Sequence, residues 1–138
     1  MMNNSIAYIH DGLASHPVAS LFHINIRLCE RGHLVLALSR CSQAPVEYLD
    51  SAGVCNFLID YAARKAGHNV IGRCYIAECE TSLYYPVQAH DISVEVSIES
   101  GDINSASYLC KLIDGIHVIA ESQGTLVSSG TLSKHHGC

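Results

Sequence analysis

The stretch that decides the fold runs Ser51-Ala52-Gly53-Val54-Cys55-Asn56-Phe57-Leu58-Ile59-Asp60-Tyr61-Ala62-Ala63-Arg64-Lys65-Ala66-Gly67. Val54, Phe57, Leu58, Tyr61 and Ala62 recur at three- and four-residue spacing, which lays them along one stripe of an α-helix. Asp50 or Ser51 can cap the start by accepting a backbone N–H bond. Arg64 and Lys65 stand near the negative end of the helix dipole, and Gly67 can supply a left-handed stop. The spacing predicts one helix over 51–66.

Outward from it the period changes. Ile24, Ile26 and Leu28 alternate, Glu30-Arg31-Gly32 breaks the pattern as a turn would, and Leu34, Leu36 and Leu38 alternate again, so a hairpin is expected. Downstream, 70–85 reads as a strand bent or bulged near Gly72, followed by strands over 91–99, 105–113 and 116–128. Ile92-Ser93-Val94-Glu95-Val96-Ser97-Ile98 alternates strictly and must have one buried and one wetter face. Asp114-Gly115 predicts a two-residue turn, and residues around 18–22 suit a short lead-in helix. A sheet that buries one face needs a partner layer, and the single apolar helix is the only candidate. The expected architecture is α+β: an antiparallel sheet of five to six strands wrapped around one long central helix.

With 138 residues and no repetitive stretch, the chain is expected to form one domain, with 1–15 as a lead-in segment and 129–138 as a disordered tail. Eight Lys and Arg against 13 Asp and Glu leave a net charge of -5. The basic residues are scattered, which argues against a nucleic-acid partner and leaves no evident cluster for nucleotide phosphates. The start has no basic segment followed by an apolar run, and Leu34 to Leu38 is far too short to span a bilayer, so a cytoplasmic protein without a membrane partner is expected. Seven cysteines, an odd count, read as free thiols and not as a disulfide framework. Cys74 and Cys79, five apart in a strand, are expected on opposite faces, and no metal is expected.

This pattern resembles the hot-dog fold. In the phenylacetate-pathway type of hot-dog thioesterase, a His-Gly-Gly stretch opens the central helix and an acidic residue follows seven positions after the second Gly. Here Leu49 to Asp60 lays Gly53 on that second Gly and Asp60 on the acidic position. Ser82-Leu83-Tyr84-Tyr85-Pro86-Val87 is similar to the family's strand ending of aromatic or Leu, Arg, Pro, and Ala120 to Leu126 is similar to its small-residue closing strand. The chain departs from the pattern where Ser51 stands for the His, Ala52 for the first Gly and Tyr85 for the Arg.

The resemblance implies a thioesterase acting on an acyl-CoA or acyl-carrier thioester, with no cofactor. Such hydrolysis needs donors for the developing oxyanion and a group that attacks or activates water. The unpaired N–H groups at a helix start meet the first need, and a glycine lets substrate approach them, so Gly53 and Val54 are the candidate donors. Asp60 is the candidate base or nucleophile, with a solvated carboxylate or one paired with a neighbouring Arg as the plainer alternative. Asn56 can orient water or substrate. Ser51 can stand in for the missing His as a donor. Asp50 is a rival carboxylate, because Asp50-Ser51-Ala52-Gly53 is also similar to the Asp-x-x-Gly element of 4-hydroxybenzoyl-CoA-type thioesterases; helix capping accounts for it as well. Tyr84 and Tyr85 are candidate acyl-pocket residues. In related members the helix start and the acidic residue of one site come from different subunits, which implies a homodimer or a dimer of dimers. The alternatives are a non-catalytic acyl-thioester-binding protein and, from His16-Pro17-Val18, a dehydratase or hydratase.

Overall fold

The computed structural model describes residues 22–40, 51–86 and 91–129. They form strands β1 (Phe22–Glu30) and β2 (His33–Arg40), helix α1 (Ser51–Ile71), then β3 (Cys74–Leu83), β4 (Asp91–Ser100), β5 (Ser105–Asp114) and β6 (His117–Ser128). The six strands make one antiparallel sheet in the order β1-β2-β4-β5-β6-β3. The expected architecture is the one observed. Residues 1–21 and 130–138, with most of the lead-in helix and the tail, lie outside the described residues. Phe22 opens β1 instead of closing a helix, and Ser129 donates its backbone N–H to the Arg73 carbonyl at 2.8 Å.

Alternation sets the inner face. Leu34, Leu36 and Leu38 of β2, Ile92, Val94 and Val96 of β4, and Ala106, Tyr108, Cys110 and Leu112 of β5 are buried in one core with Val54, Leu58 and Ala62 of α1. The buried helical stripe also takes in Cys55, Ile59, Ala63 and Ala66, so its centre is rotated from the predicted one. Phe57 and Tyr61 fall at its margin, half-buried and stacked with ring centroids 6.4 Å apart.

The helix runs on to Ile71, past the predicted stop. Gly67 stays helical because packing, and not backbone conformation, requires a glycine there: an added Cβ would sit 2.6 Å from Leu126 Cδ1 and 2.9 Å from Cys74 Sγ. The stop is Gly72, at φ 79, whose N–H donates to the His68 carbonyl at 3.1 Å. Arg31, in the β1–β2 turn, donates to the carbonyls of Asn69 (3.2 Å) and Val70 (3.5 Å), meeting helix-end acceptors that the helix cannot satisfy.

Three further expectations are corrected. The bulge in β3 lies between Ile76 and Glu78, not at Gly72, and its extra residue reverses the side-chain parity beyond it. Cys74 pairs with Ser128 and Cys79 with Gly124, positions of one parity in β6, so both cysteines lie on the inner face and not on opposite ones. Asp114 pairs with His117, so the turn residues are Gly115-Ile116. Gly115 has φ 63 while Ile116 does not leave the negative region, the pattern of a type II′ turn.

Gly124 marks a close approach of another kind. A Cβ there would collide with the Glu78 carbonyl oxygen and lie 2.9 Å from Cys79 Cα and 2.8 Å from Tyr108 Cε2. Two of these neighbours are backbone and cannot step aside. Gly124→Ala is therefore expected to destabilise the fold by ~1–3 kcal/mol, and an unchanged thermal melt would show that β3 and β6 are not so closely joined.

Burial also sets an alkaline limit. It pushes the Cys55 thiol up to about 11 and the Cys110 thiol up to about 12, and desolvation pushes the Tyr108 hydroxyl up to about 12. Above the ordinary thiol value the unfolded chain releases protons that the folded chain keeps. The stability contributed by these groups is thus complete below it and is lost as pH rises through the folded values. The urea midpoint is expected to fall from about pH 8 to about pH 10.5; a flat midpoint would contradict the burial of these three groups.

Candidate active site

Helix α1 carries most of the candidate residues. Ser51 is its first residue, which puts the capping position at Asp50, outside the described residues. Counted from Ser51, the Gly53 amide is among the first N–H groups, which have no partner within a helix, whereas the Val54 N–H is the first that a helix pairs with the carbonyl four residues back. Gly53 is half-buried, Val54 is buried and Asn56 is exposed. Asp60 lies seven residues beyond Gly53 on the same flank. It is 46% exposed, and its Oδ2 accepts from Arg64 Nη2 at 2.7 Å. That pairing is the plainer alternative weighed for Asp60, and an exposed pair at this spacing contributes only ~0–1 kcal/mol of stability. Its geometric effect is larger: the guanidinium fixes one carboxylate oxygen.

Seven residues of helix are about 10 Å of axial rise, more than an aspartate side chain can bridge. The Gly53 amide and the Asp60 carboxylate of one chain cannot both touch one carbonyl group.

Only Gly72 and Arg73 separate α1 from β3, so β3 runs back along the helix. On the inner face of this edge strand, Thr81 Oγ1 donates to Ser122 Oγ at 3.0 Å, and the Ser122 and Tyr108 hydroxyls are 2.8 Å apart. Ser122 is buried, so a chain of three hydroxyls reaches into the core. These residues were not among the candidates. Their signal is that Ser122 shares the parity of Ala120 and Leu126, which makes it a polar group at an inward position.

Tyr84 takes the opposite face. Its hydroxyl donates to Glu121 Oε1 at 2.7 Å on the outside of the sheet, so alternation along β3 turns it away from α1. Tyr85 leaves the strand, its N–H bonded to the Ile119 carbonyl at 3.2 Å and its ring 6.0 Å from that of His117. The structure brings Asp60 and Arg64 together and keeps Gly53, Asn56 and Asp60 on one flank. It does not bring Tyr84 to them. Among the described residues no cluster of His, Cys, Asp or Glu could hold a metal ion, and no helix is long and apolar enough to cross a membrane.

This backbone arrangement is the hot-dog fold. Solved structures that share it include the PaaI protein from the phenylacetic acid degradation operon of Escherichia coli. It superposes with a TM-score of 0.69 at 14% identity, covering 91% of this chain and 94% of that one. A thioesterase family protein from Silicibacter pomeroyi gives 0.68 at 14% identity, over 89% and 96% of the two chains. A mutant of a thioesterase enzyme from Staphylococcus aureus gives 0.67 at 18%, over 81% and 98%. Within the hot-dog class the chain is thus similar in structure to PaaI-like and other thioesterase-family proteins. No protein-family model and no curated protein matches its sequence.

Proposed function

We propose that the protein is a thioesterase for an acyl-CoA or acyl-carrier thioester, with each site assembled from two copies of the chain. The carrying observation is the spacing on α1: the helix start at Gly53 and a carboxylate held by Arg64 share one flank, too far apart to serve one carbonyl from one chain. A second copy removes the difficulty, since its Asp60 can meet the Gly53 end of the first. The likeness to thioesterase-family structures supports the same reading.

In this mechanism the thioester carbonyl oxygen accepts from the Gly53 amide at the open start of α1. Asp60 of the other copy takes a proton from water as that water attacks the carbonyl carbon, with Asn56 orienting the water or the substrate. The tetrahedral intermediate collapses with cleavage of the C–S bond, and the proton held by Asp60 passes to the departing thiolate. The products are a carboxylic acid and a free thiol. Tyr85, at the end of β3, is the remaining candidate for acyl contact.

Purified protein is expected to release free thiol from one or more members of an acyl-CoA and acyl-carrier-protein panel, with an oxygen ester as control. The rival reading is a non-catalytic acyl-thioester binder, which the Asp60–Arg64 pair favours. Saturable binding across the panel with no thiol release would replace the hydrolase with that reading.

A further inference from the structure

Asp60 and Arg64 stand one turn apart on α1, and Arg64 Nη2 donates to Asp60 Oδ2 at 2.7 Å. The order, acid before base along the helix, is the favourable one for the helix dipole. Both side chains are about half-exposed, so the pair adds little to stability. What it restricts is motion. An unpaired aspartate on a helix surface exchanges among χ1 wells and turns broadly about χ2, whereas a charge-assisted bond to the guanidinium selects one orientation of the carboxylate.

The backbone that carries Arg64 is itself held. Its carbonyl accepts from Cys74 Sγ at 3.7 Å. Three residues on, Gly67 lies so close to Leu126 and Cys74 that an added Cβ would collide with their side chains, and Ala63 and Ala66 nearby are buried. The guanidinium therefore reaches back to Asp60 from a fixed Cα. Phe57 and Tyr61, each three residues before a member of the pair, border it with stacked rings on the adjoining row of the helix.

We propose that Arg64 is a positioning residue for the reaction: it sets the rotamer of Asp60 within one chain, so that the carboxylate is already oriented when thioester and water meet it at the helix start of another. The proposal rests on the thioesterase reading. A site assembled from two chains gains most from such a device, because neither the second chain nor the substrate is there to orient the carboxylate beforehand. The pairing leaves the chemistry intact. A carboxylate has two oxygens and about four acceptor sites, so a bond at Oδ2 does not prevent it from taking a proton from water. If the pair only neutralised Asp60, as in a non-catalytic binder, removing Arg64 would have the opposite effect or none.

The test measures thiol release from the panel member that the wild type hydrolyses fastest. Arg64→Ala is expected to lower kcat about tenfold with KM nearly unchanged, the mark of a contact that matters only in the transition state. Its thermal melt should stay close to that of the wild type. Arg64→Lys, which keeps the cation but not the planar fork, should recover part of the rate, and millimolar ethylguanidinium should speed Arg64→Ala but not the wild type. In an Asp60→Asn background, Arg64→Ala should cost nothing more. Equal or faster turnover by Arg64→Ala would overturn the proposal, as would an equal loss in the Asp60→Asn background. So would a loss that follows the melt and that neither lysine nor ethylguanidinium relieves. A wild type that hydrolyses no thioester overturns the thioesterase reading and this role with it, whereas an active wild type matched by Arg64→Ala overturns this role alone.

Discussion

Asp60→Asn is expected to lower thioester hydrolysis by at least about a hundredfold while leaving the fold intact. The amide keeps the size of the carboxylate and can still accept from Arg64, but it cannot take a proton from water. Because the Arg64–Asp60 pair is half-exposed, its loss is worth ~0–1 kcal/mol, a small shift in thermal midpoint. The two readouts therefore separate: a structural role would move the melt and a catalytic one the rate. Steady-state thiol release and a thermal melt on one preparation check this, and equal turnover by the variant would remove Asp60 from the mechanism.

The largest expected stability effect is at Leu112. It is fully buried in β5, a central strand packed on α1, in one core with Val94 and Leu58. Truncation to Ala removes apolar surface and leaves a cavity that a two-layer core closes only partly, a loss of ~2–5 kcal/mol. Against a total stability of ~5–15 kcal/mol, that is a large fraction. Urea denaturation should show a lower midpoint with an unchanged slope. A loss below ~1 kcal/mol would mean that the helix does not cover this part of the sheet.

What could be read from the sequence was periodicity. The hairpin at Arg31-Gly32, the helix start at Ser51 and strands β4 and β5 come from apolar spacing, which local sequence carries in full. The errors fall where tertiary contact overrides local preference. Gly67 has the residue type of a helix stop, but its function is to let α1 approach Leu126 and Cys74, which no local pattern reveals. The β3 bulge leaves no mark in composition, yet it reverses the parity of Cys79 and so places Thr81 beside Ser122. The candidates Gly53, Val54, Asn56 and Asp60 could be grouped from the sequence because they share one helix.

Those helical residues also frame the central claim, that one site takes its helix start from one chain and its carboxylate from another. Two variants isolate the halves: Gly53→Val, which obstructs approach to the amides, and Asp60→Asn. Each alone is expected to be nearly inactive. Co-expressed in equal amounts with separable tags, half of the randomly formed dimers carry both variants, and each of those holds one site with both native elements. The mixture should then regain about a quarter of wild-type thiol release, and the isolated mixed dimer about half. A purified mixed dimer as inactive as its parents would contradict the two-chain site.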